Sequence, residues 1–330
     1  MIVVTGGAGF LGSAVIWKLN RLGIDDILVV DSLKTHEKWK NLVHLRYYDY
    51  IEKERFLNLF ESGKISSFSI DGIIHLGACS STLEIDASYL VENNYRYSQI
   101  LMQWAVLHKK RFVYASSAAT YGDGSQGFSD EHSCLESYAP LNMYAYSKHM
   151  FDLWALKNHY LNWCVGVKYF NVFGPNEYHK GEMRSVVYKA FEQIKDKGEV
   201  ALFKSHNPHY EDGGQLRDFL YVKDAVNMTV FLYLNQHCRG VYNIGTGNAR
   251  TFYDLVSAVF NAMKMKQKIR YIPMPQDLRS KYQYFTEASM DKIAEAGYLE
   301  GVTPLEEAVS DYVQNYLLSD LPFLRTIPGQ

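Results

Sequence analysis

Along the first half of the chain, short apolar runs alternate with stretches whose apolar positions recur every three or four residues. Ile2 to Thr5 predicts a strand. From Phe10 to Leu22, the side chains of Val15, Leu19 and Leu22 share one face, which predicts a helix. Ile27 to Asp31, Gly72 to Leu76 and Arg111 to Ser116 predict three more strands, the last two separated by a long helical stretch through Leu101. Asn142 to Tyr160 reads as a helix leading into a strand from Val165 to Phe170. Alternation of this kind builds a parallel sheet with helices on both faces. The fold class expected is therefore α/β, a Rossmann-type doubly wound parallel sheet.

After Asn171 the rhythm loosens. Proline, glycine and histidine punctuate Gly174 to Gly181, and the polar stretch Lys204 to Leu216 predicts a loop. Helical periodicity returns at Met183–Ile194, Val222–Leu234, Phe252–Met263 and Pro304–Leu317. Residues 1–172 then form a dinucleotide-binding domain, to which segments around 219–245 return. Residues 173–330 form mainly a smaller, mixed α/β substrate-binding lobe. The last dozen residues predict a frayed tail.

Composition narrows the classes. A chain of 330 residues is long enough for a large core, and its net charge of −2 offers no basic field to nucleic acid or an acidic membrane. The apolar runs are too short to span a bilayer. Met1 leads straight into the first strand, leaving no room for a signal peptide. Cys79, Cys134, Cys164 and Cys238 lie far apart, with no pairing that suggests a metal site. They read as free thiols in a reducing cytoplasm.

Candidate chemistry begins between the first strand and the first helix. Gly6, Gly9 and Gly12 are spaced GxxGxxG. Gly6 permits a tight turn, Gly9 lets the backbone approach a pyrophosphate, and Gly12 lets helix and strand pack closely. The amides of the helix N-terminus then face the phosphates. Asp31 ends the second strand, where a carboxylate normally accepts from an adenosine ribose and favours NAD. Lys34, Lys38 and Lys53 lie within reach in sequence, and a lysine on a 2′-phosphate favours NADP. The residues alone leave that choice open.

Tyr144 and Lys148 stand four apart on a predicted helix, so both reach the same place. A lysine cation beside a phenol lowers its pKa and makes it a usable general acid/base. Ser117, after the strand from Arg111, is placed to hydrogen-bond the reacting hydroxyl. In a chain with 26 tyrosines the Tyr-xxx-Lys spacing arises easily by chance. Its position, behind a dinucleotide loop and a strand ending Ser-Ser, is what makes it specific. Tyr146 has no lysine four residues on.

At this point the chain resembles the extended short-chain dehydrogenase/reductase superfamily over nearly its whole length. The likeness runs through the glycine loop, Asp49 in Tyr-Asp-Tyr, Ile-Ile-His-Leu-Gly-Ala, Tyr-Ala-Ser-Ser, Tyr144/Lys148, and Arg217-Asp218-Phe219 with Tyr221, Val222 and Asp224. Within it, several strings are similar to the ADP-L-glycero-D-manno-heptose 6-epimerase family. These are Leu76-Gly77-Ala78-Cys79-Ser80-Ser81-Thr82, Tyr114 to Gly122, Lys168 to Pro175, His179-Lys180-Gly181, Tyr242 to Gly247, and Tyr282-Gln283 with Phe285-Thr286. The resemblance implies an isomerase that epimerises C6 of ADP-D-glycero-β-D-manno-heptose through a 6-keto sugar, for lipopolysaccharide inner-core biosynthesis. It implies a cytoplasmic homo-oligomer, expected to be a pentamer, with the nucleotide sugar as partner and neither nucleic acid nor membrane.

The resemblance also assigns positions. Lys180 becomes a second catalytic acid/base beside Tyr144, because the ketone must rotate between removal and return of hydride, and one base cannot serve both alignments. Such a lysine needs a lowered pKa. Phe10, Leu11, Asp31, Ser32, Lys38, Asp49, Lys53, Leu76, Gly77, Ala78, Cys79, Ser80, Asn93, Lys148, Val172 and Lys180 match cofactor positions. Lys38 and Lys53 tip the choice to NADP, with NAD the alternative. Ser117, Asn171, Phe203, Lys204, Ser205, His206, Arg217 and Tyr282 match substrate positions, as do Glu182 and Lys189, where the family usually has serine and histidine. Two rivals stand beside this reading. A dehydratase of the superfamily places Asp-Glu where Ala118-Ala119 follow Ser117, and a 4-epimerase has no need of Lys180. A non-catalytic nucleotide-binding module would have lost Tyr144, Lys148 or Ser117.

Overall fold

The computed structural model describes residues 1–279 and 282–326. Seven parallel strands form its central sheet: β1 (Ile2–Thr5), β2 (Ile27–Asp31), β3 (Asp49–Glu52), β4 (Gly72–His75), β5 (Arg111–Ser117), β6 (Val165–Tyr169) and, further along the chain, Gly240–Ile244. The last of these pairs with β6 at one edge, and β3 forms the other. Five of the seven strands match strands predicted from the sequence pattern, and Gly240–Ile244 falls in the segment expected to return to this domain without having been predicted as a strand. β3, four residues with only Ile51 buried, carries no periodic signal of its own.

The inner strands are buried on both faces, as a sheet covered on both sides requires. Alternate residues feed opposite cores. Val4, Val29, Ile74 and Val113 pack with helices α1 (Phe10–Arg21) and Val222–Leu234. Val3, Leu28, Val30, Ile73 and Phe112 pack on the other face with Tyr97–Leu107 and Met143–Lys157. Strand order runs outward from β1 through β2 to β3, and from β1 through β4 and β5 to β6. The chain therefore reverses direction of travel between β1 and β4, where an open α/β sheet opens a crevice at its carboxyl edge.

Two short strands, Val200–Phe203 and Ile269–Ile272, pair in parallel away from that sheet. Leu216–Arg217 pairs antiparallel with Arg250–Thr251. Between Phe203 and Leu216 the chain carries no regular element, as its composition predicts. The frayed tail does not hold over residues 319–326. Leu324 is buried and its N–H donates to Asn176 Oδ1, while Trp17 Nε1 donates to the Arg325 carbonyl. One apolar side chain and two hydrogen bonds to distant segments outweigh a composition that reads as loose. Residues 327–330 of that expectation lie outside the described residues.

Candidate active site

The glycine loop closes the carboxyl end of β1. Gly6 has a left-handed φ of +66°, and a Cβ on it would meet the Gly77 backbone at 2.7 Å. The loop and the Leu76–Ser80 turn thus touch at the point where strand order reverses. A Cβ on Gly12 would come within 2.0 Å of the Gly6 carbonyl. That glycine lets α1 seat on the loop itself, and only secondarily on the strand. Helix α1 begins at Phe10 with no side-chain cap and no acid in its first turn. Its free amides and backbone-only approach fit a dinucleotide diphosphate. By contrast, the helix Met143–Lys157 is capped by Asn142, and Phe252–Ala262 by Thr251.

Asp31 is 8% exposed and fully engaged. One oxygen accepts from Ala8 N at 2.9 Å, and the other from Ser32 N at 2.7 Å and Lys38 Nζ at 2.5 Å. Lys53 lies alongside: it donates to Asn93 Oδ1 at 2.6 Å and sits 5.2 Å from the Tyr97 ring. Burial lowers its pKa, and Lys34 nearby lowers it further. The three lysines noted in the sequence do converge on this end. Asp49 does not join them. In the β2–β3 register Glu52 stands opposite Asp31 and Asp49 opposite Leu28, about 10 Å back along the strand. Glu52 occupies the crevice end instead, accepting from Leu33 N and the Tyr50 hydroxyl.

The Leu76–Ser80 turn is clamped by a residue the pattern did not reveal. Asn94, buried, accepts from Cys79 N at 2.8 Å, donates to Cys79 O at 2.9 Å and reaches Ser147 Oγ at 3.0 Å. It joins the turn to the helix carrying Tyr144. His75, also buried, links Thr5 to Ser98, and Ser98 donates to the Asn94 carbonyl. Neither announces itself in sequence: His75 is a lone polar residue in the apolar run of β4, and Asn94 sits in a polar stretch beside Asn93 with nothing to set it apart.

Tyr144 and Lys148 lie on one face of their helix. Burial raises the Tyr144 phenol, while the Ser117 side chain beside it pulls it down. Burial takes the Lys148 ammonium down to about 8, and its Nζ donates to the Ala115 carbonyl at 2.8 Å. Against the expected lowering, Lys148 is not among the groups acting on the phenol, since its ammonium points at the Ala115 carbonyl, and burial leaves the phenol raised. Beneath them, Asp152 and Lys168, both fully buried, pair at 2.7 Å, and Asp152 also accepts from Tyr114 and Ser116.

Lys180 approaches from another element, the turn Tyr178–Met183. Its Nζ lies 5.1 Å from the centre of the Phe10 ring, at the start of α1. Burial lowers its pKa, opposed by the buried Glu177 carboxylate. Glu177 in turn accepts from Ser185 N and Ser185 Oγ, which ties the turn to the next helix, Val186–Lys197.

Arg217 is 7% exposed, and among the described residues no carboxylate pairs with it. It donates to the Leu216 and Gln283 carbonyls and lies over the Tyr282 ring at 5.1 Å. Tyr282 packs on Tyr284, whose hydroxyl accepts from His206 N at 3.2 Å. Arg217, Tyr282 and the Phe203–His206 segment thus meet, although Lys204 and His206 point into solvent. Asn171 and Val172 enter from the strand Asn171–Phe173, with Asn171 N donating to the Asp218 carbonyl. Among the described residues there is no cluster of His, Cys, Asp and Glu able to hold a metal ion. Nor, among the described residues, is any helix long and apolar enough to cross a membrane.

Residues 2–245 match the NAD dependent epimerase/dehydratase family. The chain is 53% identical over 98% of its length to the whole of an ADP-L-glycero-D-manno-heptose-6-epimerase from Nitratidesulfovibrio vulgaris. It is 47% identical, again over 98% of its length and the whole relative, to one from Fusobacterium nucleatum. This chain belongs to the ADP-L-glycero-D-manno-heptose-6-epimerase family. The crystal structure of the Helicobacter pylori enzyme of that name superimposes with a TM-score of 0.79, at 26% identity and 95% coverage of each chain. A Thermus thermophilus UDP-glucose 4-epimerase complexed with NAD shares the fold, with a TM-score of 0.73 at 23% identity over 94% of this chain and 97% of that one.

Two residues that depart from the usual ADP-heptose-epimerase pattern turn out to face each other. Lys189 Nζ donates to the Glu182 carbonyl at 2.5 Å and lies 3.6 Å from its carboxylate. Among the described residues, no hydrogen bond or ion pair joins them to Arg217 or to Phe203–His206.

Proposed function

We propose that this chain interconverts ADP-D-glycero-β-D-manno-heptose and its L-glycero epimer by inverting C6, a step supplying activated heptose to the lipopolysaccharide inner core. The observation that carries the reading is Lys180, a desolvated lysine 5.1 Å from the Phe10 ring of the cofactor loop, in addition to Tyr144 on a different element. Inversion turns the C6 oxygen from one side of the pocket to the other, and proton transfer needs contact of roughly 2.6–3.2 Å. Two groups on two elements meet that need. A dehydratase or 4-epimerase gives Lys180 no work.

The glycine loop and α1 amides would hold the cofactor diphosphate, Asp31, Ser32, Lys38, Lys53 and Asn93 its adenosine end, and the Leu76–Ser80 turn, Lys148 and Val172 the rest. When bound, the nicotinamide supplies removal and return of hydride at C6 with no net redox change. Tyr144 holds the C6-oxygen proton for one epimer and Lys180 for the other. Ser117 hydrogen-bonds that oxygen and keeps the phenol within reach. Arg217, buried without a carboxylate, holds the sugar-nucleotide diphosphate, with Tyr282, Asn171 and Phe203–His206 around it.

NADP is the cofactor we read from the adenosine end. Lys38 neutralises the carboxylate that would otherwise repel a 2′-phosphate, and Lys34 and Lys53 add positive charge. Cofactor released by denaturing the purified protein and identified by mass should be NADP, and NAD alone would overturn this choice.

The test of function is turnover of ADP-D-glycero-manno-heptose followed by NMR at C6, for wild type, Tyr144→Phe and Lys180→Met. Wild type should equilibrate the two epimers without added cofactor. Each variant should lose about 10²–10⁴-fold, the usual worth of a general acid/base. Retained cofactor with C6 untouched in wild type would sink the substrate assignment.

A further inference from the structure

Asn41 lies in the turn Glu37–Leu42, the turn that also carries Lys38, and is 2% exposed. Its Nδ2 stands 2.9 Å from the Ala8 carbonyl, 3.1 Å from the Asn176 carbonyl and 3.3 Å from His179 Nδ1. The two carbonyls, from two distant segments, take the two protons of one side-chain amide, with the imidazole nitrogen alongside. The Ala8 peptide is gripped on both sides, its N–H by Asp31 and its carbonyl by Asn41. Asn176 extends the link, donating to Ser13 Oγ in α1 at 2.9 Å.

The Lys180 turn has little of its own to fix it. It spans six residues, has no side-chain cap, and contains Gly181 at a φ of +53°. Yet its one lysine sits over Phe10, two residues beyond Ala8. What holds turn and loop in register is contact between them, and Asn41 touches both.

We propose that Asn41 is a positioning residue that locks the Lys180 turn to the glycine loop, so that cofactor occupancy and the placing of Lys180 are coupled. The inference rests on Lys180 acting as the second acid/base. Its chemistry is simple: one amide N–H₂ faces two carbonyls and an imidazole nitrogen. Asn41→Ala deletes the donor. Asn41→Asp keeps the shape but offers only acceptors to two carbonyls, which turns both of those contacts repulsive.

The experiment is hydrogen–deuterium exchange of residues 176–184, with and without NADP, in wild type, Asn41→Ala and Asn41→Asp, beside kcat and KM for the nucleotide sugar. In wild type, NADP should slow exchange across 176–184. In both variants exchange there should speed about ten-fold, as the loss of a buried hydrogen bond implies, while residues 143–157 stay unchanged. NADP should still bind but no longer protect 176–184, and kcat should fall about ten-fold with KM steady. Unchanged protection by NADP overturns the coupling. So does faster exchange over 143–157 as well, since that is general loosening. Lys180→Met separates the two ideas. If it turns over like wild type, the acid/base reading fails. If it is inactive while the Asn41 variants exchange like wild type, only the coupling fails.

Discussion

Tyr144 and Lys180, the two acid/base groups proposed above, stand on two kinds of support. Tyr144 rides on a capped helix of 15 residues that lies against the sheet, above a buried ion pair. Lys180 rides on six residues of irregular turn, reached by the Asn41 side chain at His179 and, just before the turn, at the Asn176 carbonyl, while the Leu324 N–H donates to Asn176 Oδ1. In a helix, the backbone's own hydrogen bonds decide where a side chain goes. In the turn, that decision belongs to distant partners. The first arrangement should break only when the domain breaks, and the second should fail locally while the domain stands.

The largest effect removes what both arms share. Gly12→Ala drives a methyl group to within 2.0 Å of the Gly6 carbonyl, so the loop cannot close under α1. Purified Gly12→Ala should retain no cofactor, measured by absorbance of the denatured supernatant. Wild-type retention would show that the diphosphate sits elsewhere. Next comes the helix arm alone. Lys168→Met leaves the Asp152 carboxylate buried without its cation, at a cost of about 3–5 kcal/mol. The denaturant midpoint should fall for the whole chain in one transition. A midpoint within error of wild type would mean that Asp152 finds another donor, and that the helix does not depend on the pair.

This asymmetry also marks how far the sequence could be read. Five strands of the sheet, α1 and the Tyr144 helix follow from short-range periodicity, and the glycine loop from spacing, because the physics there is local. Asp49 failed because register, not sequence neighbourhood, decides which end of β3 meets the crevice. Asn41, Asn94 and Asn176 escaped notice because an isolated amide has no pattern, and each acts across a separation that only the fold closes. Lys180 itself came from resemblance. Nothing local in Tyr-His-Lys-Gly says that its ammonium will leave water for the Phe10 ring.

A smaller effect comes from titrating the helix arm. Burial holds Lys148 at about 8, against an ordinary 10.5. Between those values the folded chain carries it neutral and the unfolded chain carries it protonated. The unfolded state binds more protons there, so this group's contribution to stability rises with pH across the window and is flat below it. Unfolding free energies of cofactor-free wild type and Lys148→Met, compared at steps from pH 7 to 10.5, should diverge in favour of wild type only above about 8. A constant gap would mean that Lys148 keeps its proton in the folded chain.

The smallest effect tests whether the Lys180 turn is tuned from its outer side. Glu182 is exposed and meets Lys189 through a long ion pair and one carbonyl contact. Exposed pairs of this kind are worth about 0–1 kcal/mol, because water and salt screen them. Glu182→Ser should therefore leave the unfolding midpoint almost unmoved and leave the Lys189 ammonium held only by the backbone carbonyl of residue 182. If that ammonium then reaches the nucleotide sugar, KM will fall while kcat holds, since the acid/base groups are untouched. If KM and kcat both hold, the pair is surface alone, and the seat of Lys180 is set from its inner side, by Asn41 and Glu177. A fall in kcat would reverse the order of importance, making the outer pair part of what aims Lys180.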